Sequence, residues 1–128
     1  MKCKSRYESE LKVITEVKKL TAYVITITEK SPKKFRTVFV VRMQNHCIDT
    51  LENLIKANSI RADCSKNKAR RAGFQHEAYS TLKTLEYVAF IAFENKCILA
   101  KQFEQICKLL DVCLSLLIAW RKSDAERI

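Results

Sequence analysis

The chain has 128 residues, 48% of them apolar, a single Gly, a single Pro and a formal charge of +10. That apolar content excludes a disordered basic tail, and so little Gly and Pro excludes an all-β protein, whose turns consume both. The length is that of one domain, so a few long helices with short connections are expected.

The first helix is predicted over residues 6–28. VITIT within it has strand propensity. At 100° per residue, however, Val13, Ile14, Val17, Leu20, Val24, Ile25 and Ile27 fall on one arc, and Lys12, Thr15, Glu16, Lys19, Tyr23 and Thr26 on the other. The pattern is that of an amphipathic helix.

The second helix is predicted over 32–58, with Ser31 as N-cap and Pro32 at the first helical position, where its missing N–H costs nothing. Phe39, Val40, Met43, Cys47, Leu51, Leu54 and Ile55 form its apolar side, toward which Arg36 also projects. Arg42, Asn45, Asp49, Glu52, Asn53 and Lys56 form a polar seam, and His46 projects onto that seam as a solvated or hydrogen-bonded surface histidine. Lys33 and Lys34 stand at the positive end of the helix dipole, the less favourable place for cations.

Ser59 to Gly73 (SIRADCSKNKARRAG) reads as a basic connector that runs into the third helix, and it contains Arg61, Lys66, Lys68, Arg70 and Arg71. The third helix is predicted over 70–95, with its core line from Phe74 onward at Leu82, Leu85, Val88, Ala89 and Ala92. From Tyr87 on it is apolar all round. The fourth, over 100–122, keeps only Glu104, Lys108, Asp111, Ser115 and Lys122 as a polar strip.

The fold expected is therefore all-α, an antiparallel up-down four-helix bundle spanning residues 1–128. Its last two helices, and the second, carry more apolar surface than one bundle covers. A homo-oligomer that uses those second faces is expected, with Phe90, Ile91, Leu109, Val112, Leu116 and Trp120 at the interface.

The charge is lopsided: residues 1–72 carry 17 Lys/Arg and 7 Asp/Glu, and residues 73–128 carry 7 of each. A polyanionic partner is expected, nucleic acid ahead of an anionic membrane surface. Its predicted contacts are Lys33, Lys34, Arg36, Arg42, Arg61, Lys66, Lys68, Arg70 and Arg71. Few aromatics accompany them, so contacts should fall mostly on the phosphate backbone.

The start, MKCKSRYESELK, has no apolar signal-peptide segment, and no uncharged apolar run approaches the ~18 residues of a membrane span. A soluble, cytoplasmic chain is expected, so its six cysteines should be reduced, with those inside the helical patterns acting as small buried hydrophobes. No CxxC pair occurs, and His46 and Cys47 diverge on a helix, so neither a metal nor another cofactor is expected. No phosphate loop, nucleophile elbow, HExxH or carboxylate pair points to an enzyme. RAGFQH, Arg71 to His76, fits the loose Arg-x4–6-His spacing of the helical HEPN ribonucleases, which makes a nuclease the alternative reading.

SPKKFRTVFVVRMQN, LENLIKAN, LEYVAFIAF, KQFEQICKLL and IAW, in this order, resemble the accessory variability determinant (Avd) proteins of diversity-generating retroelements. The resemblance covers roughly residues 20–122 and rests most on Pro32, Lys33, Phe35, Arg36, Arg42, Leu54-Ile55, Ala57-Asn58 and Trp120. It implies a four-helix bundle assembled as a basic homopentameric barrel. It also implies a non-catalytic role, binding a reverse transcriptase and template RNA or other nucleic acid during mutagenic cDNA synthesis. Where that family carries arginines in the third helix this chain has Glu86 and Phe90, and its cations lie on the second helix and the connector instead. The bundle proteins encoded in ribosomal-RNA intervening sequences share the same architecture and are the second family it resembles.

Overall fold

In a computed structural model that describes residues 10–126, these residues are helical without a strand. Four α-helices form, α1 (Lys12–Thr28), α2 (Val41–Ser59), α3 (Ser65–Glu94) and α4 (Ala100–Glu126), preceded at α2 by a 3-10 turn (Lys33–Phe35) and a π turn (Arg36–Val40). Each helix packs on its chain neighbours, and α1 closes onto α4. The Gln44 amide donates to Thr28 Oγ1 across the α1–α2 end. At the opposite end Arg71 reaches Asp124, so sequential helices run antiparallel, an arrangement compatible with a four-helix bundle.

Periodicity wins over strand propensity in α1. Val13, Ile14, Val17, Leu20 and Val24 are buried, and Thr21 and Thr28 join them by donating their hydroxyls to the carbonyls of Val17 and Val24. Those bonds satisfy groups that would otherwise be costly inside a core. Ile25, placed on the buried arc by the sequence reading, is exposed, and Ile27 is half-buried. The helix starts at Lys12, and the earlier turn expected at residues 6–9 lies outside the described residues.

The start of α2 departs from the expected capped helix. Pro32 has an extended ψ of 138°, so it precedes the helical turns instead of opening them. Ser31 does not cap; its hydroxyl donates to the Cys97 carbonyl in the α3–α4 turn, 3.0 Å away. The widened π turn then rotates residues 36–40 relative to α2. As a result Arg36, expected on the apolar side, is exposed, and so is Val38, while Val40 turns inward. Within α2 proper Met43, Cys47, Thr50, Leu54 and Ala57 are buried at spacings of three and four, and Ile55, expected in the core, is 55% exposed.

α3 is 30 residues long and begins at Ser65, so most of the expected connector is helix. Gly73 lies in its interior and is not a boundary. Gln75, Ala78, Leu82, Leu85, Ala89 and Ala92 face the core, where the small alanines let α2 approach closely. At the far end Cys97 N–H donates to the Ala92 carbonyl at 2.8 Å and Lys96 N–H to that of Phe93 at 3.0 Å. This is a Schellman stop, with Lys96 at φ 64° where glycine is usual.

In α4 the core line is Ile106, Leu110, Cys113 and Leu117, and the helix continues past the expected end at residue 122 to Glu126. Each fully buried leucine contributes roughly 1.5–3 kcal/mol relative to exposure. Of the six expected interface residues, Phe90, Ile91 and Val112 are exposed, whereas Leu109, Leu116 and Trp120 are half-buried against the core. No helix among the described residues is long and apolar enough to cross a membrane.

Candidate nucleic-acid interface

The nine basic residues singled out in the sequence do not form one patch. Lys33, Lys34 and Arg36 stand on the irregular turns ahead of α2, and Arg42 on its first turn. Arg61 lies in the α2–α3 connection, and Lys66, Lys68, Arg70 and Arg71 on the first turns of α3. α2 has 19 residues and is about 28 Å long at 1.5 Å per residue, so the two groups occupy opposite ends of the molecule.

Lys33, Lys34, Arg36, Arg42, Arg61, Lys66 and Arg70 are exposed and form no ion pair among the described residues. The Lys34 ammonium lies 5.0 Å from the centre of the Phe35 ring, which steadies it without neutralising it. Lys68 lines a cleft of about 200 Å³ with Ala62, Ala72, Gln75, Arg121, Asp124 and Ala125.

Arg71 is different, because it is tied up inside the fold. Its Nε donates to Asp124 Oδ2 at 2.6 Å, Nη2 to Oδ1 at 3.2 Å and Nη1 to the Ile60 carbonyl at 2.9 Å. Its guanidinium also covers the Trp120 ring at 5.0 Å. Gln75 Nε2 adds a bond to Asp124 Oδ2 at 2.9 Å. The planar fork of arginine suits this bidentate, stacked site. Arg71 thereby joins the connection, the start of α3 and the end of α4, and it holds Arg61, Lys66 and Arg70 in place.

The same geometry bears on the Arg71–His76 pair. Five residues apart on one helix, the two side chains diverge. Arg71 faces Asp124 while His76 is exposed on the fourth turn of α3, so they do not converge on a common point. Among the described residues, no group of three or more His, Cys, Asp or Glu could hold a metal ion.

The polar seam of α2 forms as read, with one cation the sequence set lacked. Arg42, His46, Asp49, Asn53 and Lys56 follow one another at spacings of four and three, so they lie on one side of the helix. That side faces α3: Thr50, beside it, shares a 2.6 Å hydrogen bond with Thr81, and the Lys56 ammonium lies 5.8 Å from the Phe74 ring centre. The signal for Lys56 was its place in that 3–4 spacing. His46 is half-buried, not solvated, and its Nδ1 has no partner. Burial lowers its pKa, as does Arg42, and the carboxylate of Asp49 only partly opposes them.

Fold and surface together define an all-helical protein with an excess of exposed, unpaired cations. No protein-family model and no curated protein sequence matches the chain.

Proposed function

We propose that this chain is a non-enzymatic, homo-oligomeric nucleic-acid-binding accessory protein, acting as the Avd proteins that it resembles act. In this reading a basic helical scaffold holds template RNA for a partner reverse transcriptase during mutagenic cDNA synthesis. The observation that carries the reading is the set of exposed cations without ion pairs, at Lys33, Lys34, Arg36, Arg42, Lys56, Arg61, Lys66 and Arg70, in a chain of charge +10. Cations left unpaired on a folded surface are available to phosphates, and each contact releases a condensed counterion.

Exposed apolar side chains support the oligomer. Val41, Ile48 and Ile55 recur every seven residues along α2, and Tyr87, Phe90 and Ile91 cluster on α3. A pentameric ring would cover these side chains, which otherwise stand in water. Light scattering on the purified chain, alone and mixed with template RNA and the reverse transcriptase, tests the reading. A species of about five protomers that binds RNA less tightly as salt rises, and that retains the polymerase, is the expected result. A monomer with no affinity for RNA or polymerase contradicts it.

A further inference from the structure

The outer face between α2 and α3 differs from the other long faces. The exposed stripe of Val41, Ile48 and Ile55 lies on the α1 side of α2, the side from which Gln44 reaches Thr28. Phe90 lies on the α4 side of α3, its ring centre 5.7 Å from that of Phe103. The α2–α3 face instead carries Arg42, His46, Asp49, Asn53 and Lys56 from α2. By the same spacing rule it carries Lys66, Arg70, Gly73, Glu77, Ser80 and Thr84 from α3, with the exposed Tyr87 and Ile91 next in line at the Arg42 end. Its cations lie toward its two ends, and two carboxylates, Asp49 and Glu77, lie between them.

Two features of this face constrain its ligand. Arg42 and Lys56 are fourteen residues apart, about 21 Å along the helix. A single strand laid along the face would bring a phosphate over the central carboxylates. A double helix crossing it offers two backbone rows with a groove between them, which matches cations at the ends and acids in the middle. From Lys66 to Thr84 the face has no free aromatic ring for stacking unpaired bases: Phe74 is half-buried beneath Lys56, and Tyr79 is turned toward Arg121 of α4, 5.8 Å from its ring centre; the exposed Tyr87 stands beyond, at the Arg42 end.

The second feature is Gly73, the only glycine in the chain. It sits in a helix interior, where glycine costs about 1 kcal/mol relative to alanine. A Cβ there would meet nothing within 4 Å, so no packing within the protomer calls for its absence. Bare backbone on a surface suits the close approach of another molecule.

We propose that the α2–α3 face docks double-helical nucleic acid, with Arg42, Lys56, Lys66 and Arg70 on its phosphates and Gly73 at the closest backbone approach. This deepens the nucleic-acid reading above and rests on it. The test is fluorescence anisotropy of the full chain with an RNA hairpin of about 20 base pairs and with single-stranded oligo(U) of equal charge. The hairpin is expected to bind more tightly than oligo(U). Replacing Lys56 and Arg70 with Ala should weaken hairpin binding about tenfold and lower the salt slope by about 1.8, the value for two lost phosphate contacts. Replacing Lys101 and Lys108 of α4 should change affinity less than twofold. Gly73→Met should melt at a higher temperature yet bind the hairpin more weakly, a combination that a purely structural glycine would not give. Equal or tighter binding of oligo(U), or hairpin binding unaffected by the Lys56/Arg70 pair, overturns the proposal and leaves nucleic-acid binding intact. Binding of neither RNA by the unmodified chain overturns both.

Discussion

Asp124, two residues past the expected end of the last helix, closes a bidentate ion pair with Arg71 at 2.6 and 3.2 Å, both side chains nearly buried. Removing one partner of such a pair leaves the other charge desolvated and alone. Arg71→Ala should therefore cost about 3 kcal/mol in urea unfolding. Arg71→Lys should recover little of it, since an ammonium cannot fill both carboxylate oxygens and the Ile60 carbonyl while lying flat on Trp120. An Arg71→Ala variant as stable as the parent would show that the pair does not hold this end together.

Gly73→Ala should stabilise the chain by about 0.8–1 kcal/mol, the difference in helix propensity with nothing in the way of the new methyl. A shift of the thermal midpoint upward by several degrees is the check. A downward shift would mean that a neighbouring group leaves no room for a methyl at this position.

Lys96→Gly should also stabilise, by roughly 0.5–1 kcal/mol, because a side chain at φ 64° is strained and glycine is not. The gain is limited by the greater freedom that glycine gives the unfolded chain. Urea midpoints of the two proteins decide it.

His46 links stability to pH. The folded chain holds the ring neutral below its ordinary value of 6.5, so the unfolded chain takes up a proton first as pH falls. Stability present above 6.5 should decline as pH drops below it, until the folded ring protonates too. His46→Gln should remove that part of the pH dependence, seen as a smaller difference between unfolding midpoints at neutral and mildly acidic pH. Identical pH profiles would place the ring in water.

Burial pushes the Cys47 and Cys113 thiols up to about 12, while Cys64 is exposed at the start of α3. Alkylation of the native chain at neutral pH should mark Cys64 and spare Cys47 and Cys113 until denaturant is added. Early labelling of Cys113 would mean that the α4 core opens readily.

The helices were legible because their core positions repeat at 3.6 residues, and four separate apolar lines could be counted from the chain alone. Their ends were less so. Gly73 looked like a boundary, but one glycine is outweighed by the remaining residues of a long, packed helix. Ser31 and Pro32 looked like a cap and a first turn, but the serine hydroxyl has a better acceptor in the Cys97 carbonyl, 66 residues away. The π turn, which moved Arg36 from the apolar side into solvent, has no signature in periodicity. Arg71 read as one more surface cation because its partner Asp124 is 53 residues distant. Arg42 and its seam were read correctly, since a polar strip at 3–4 spacing is a local property.

Recognition of nucleic acid through these cations is tested by the salt dependence of RNA binding by the intact chain. Affinity for an RNA hairpin should fall linearly with salt on logarithmic axes, with a slope near −0.9 for each phosphate neutralised. With Arg42, Lys56, Lys66 and Arg70 engaged, the slope should be about −3.6 or steeper. A flat dependence, or no complex at low salt, would contradict it.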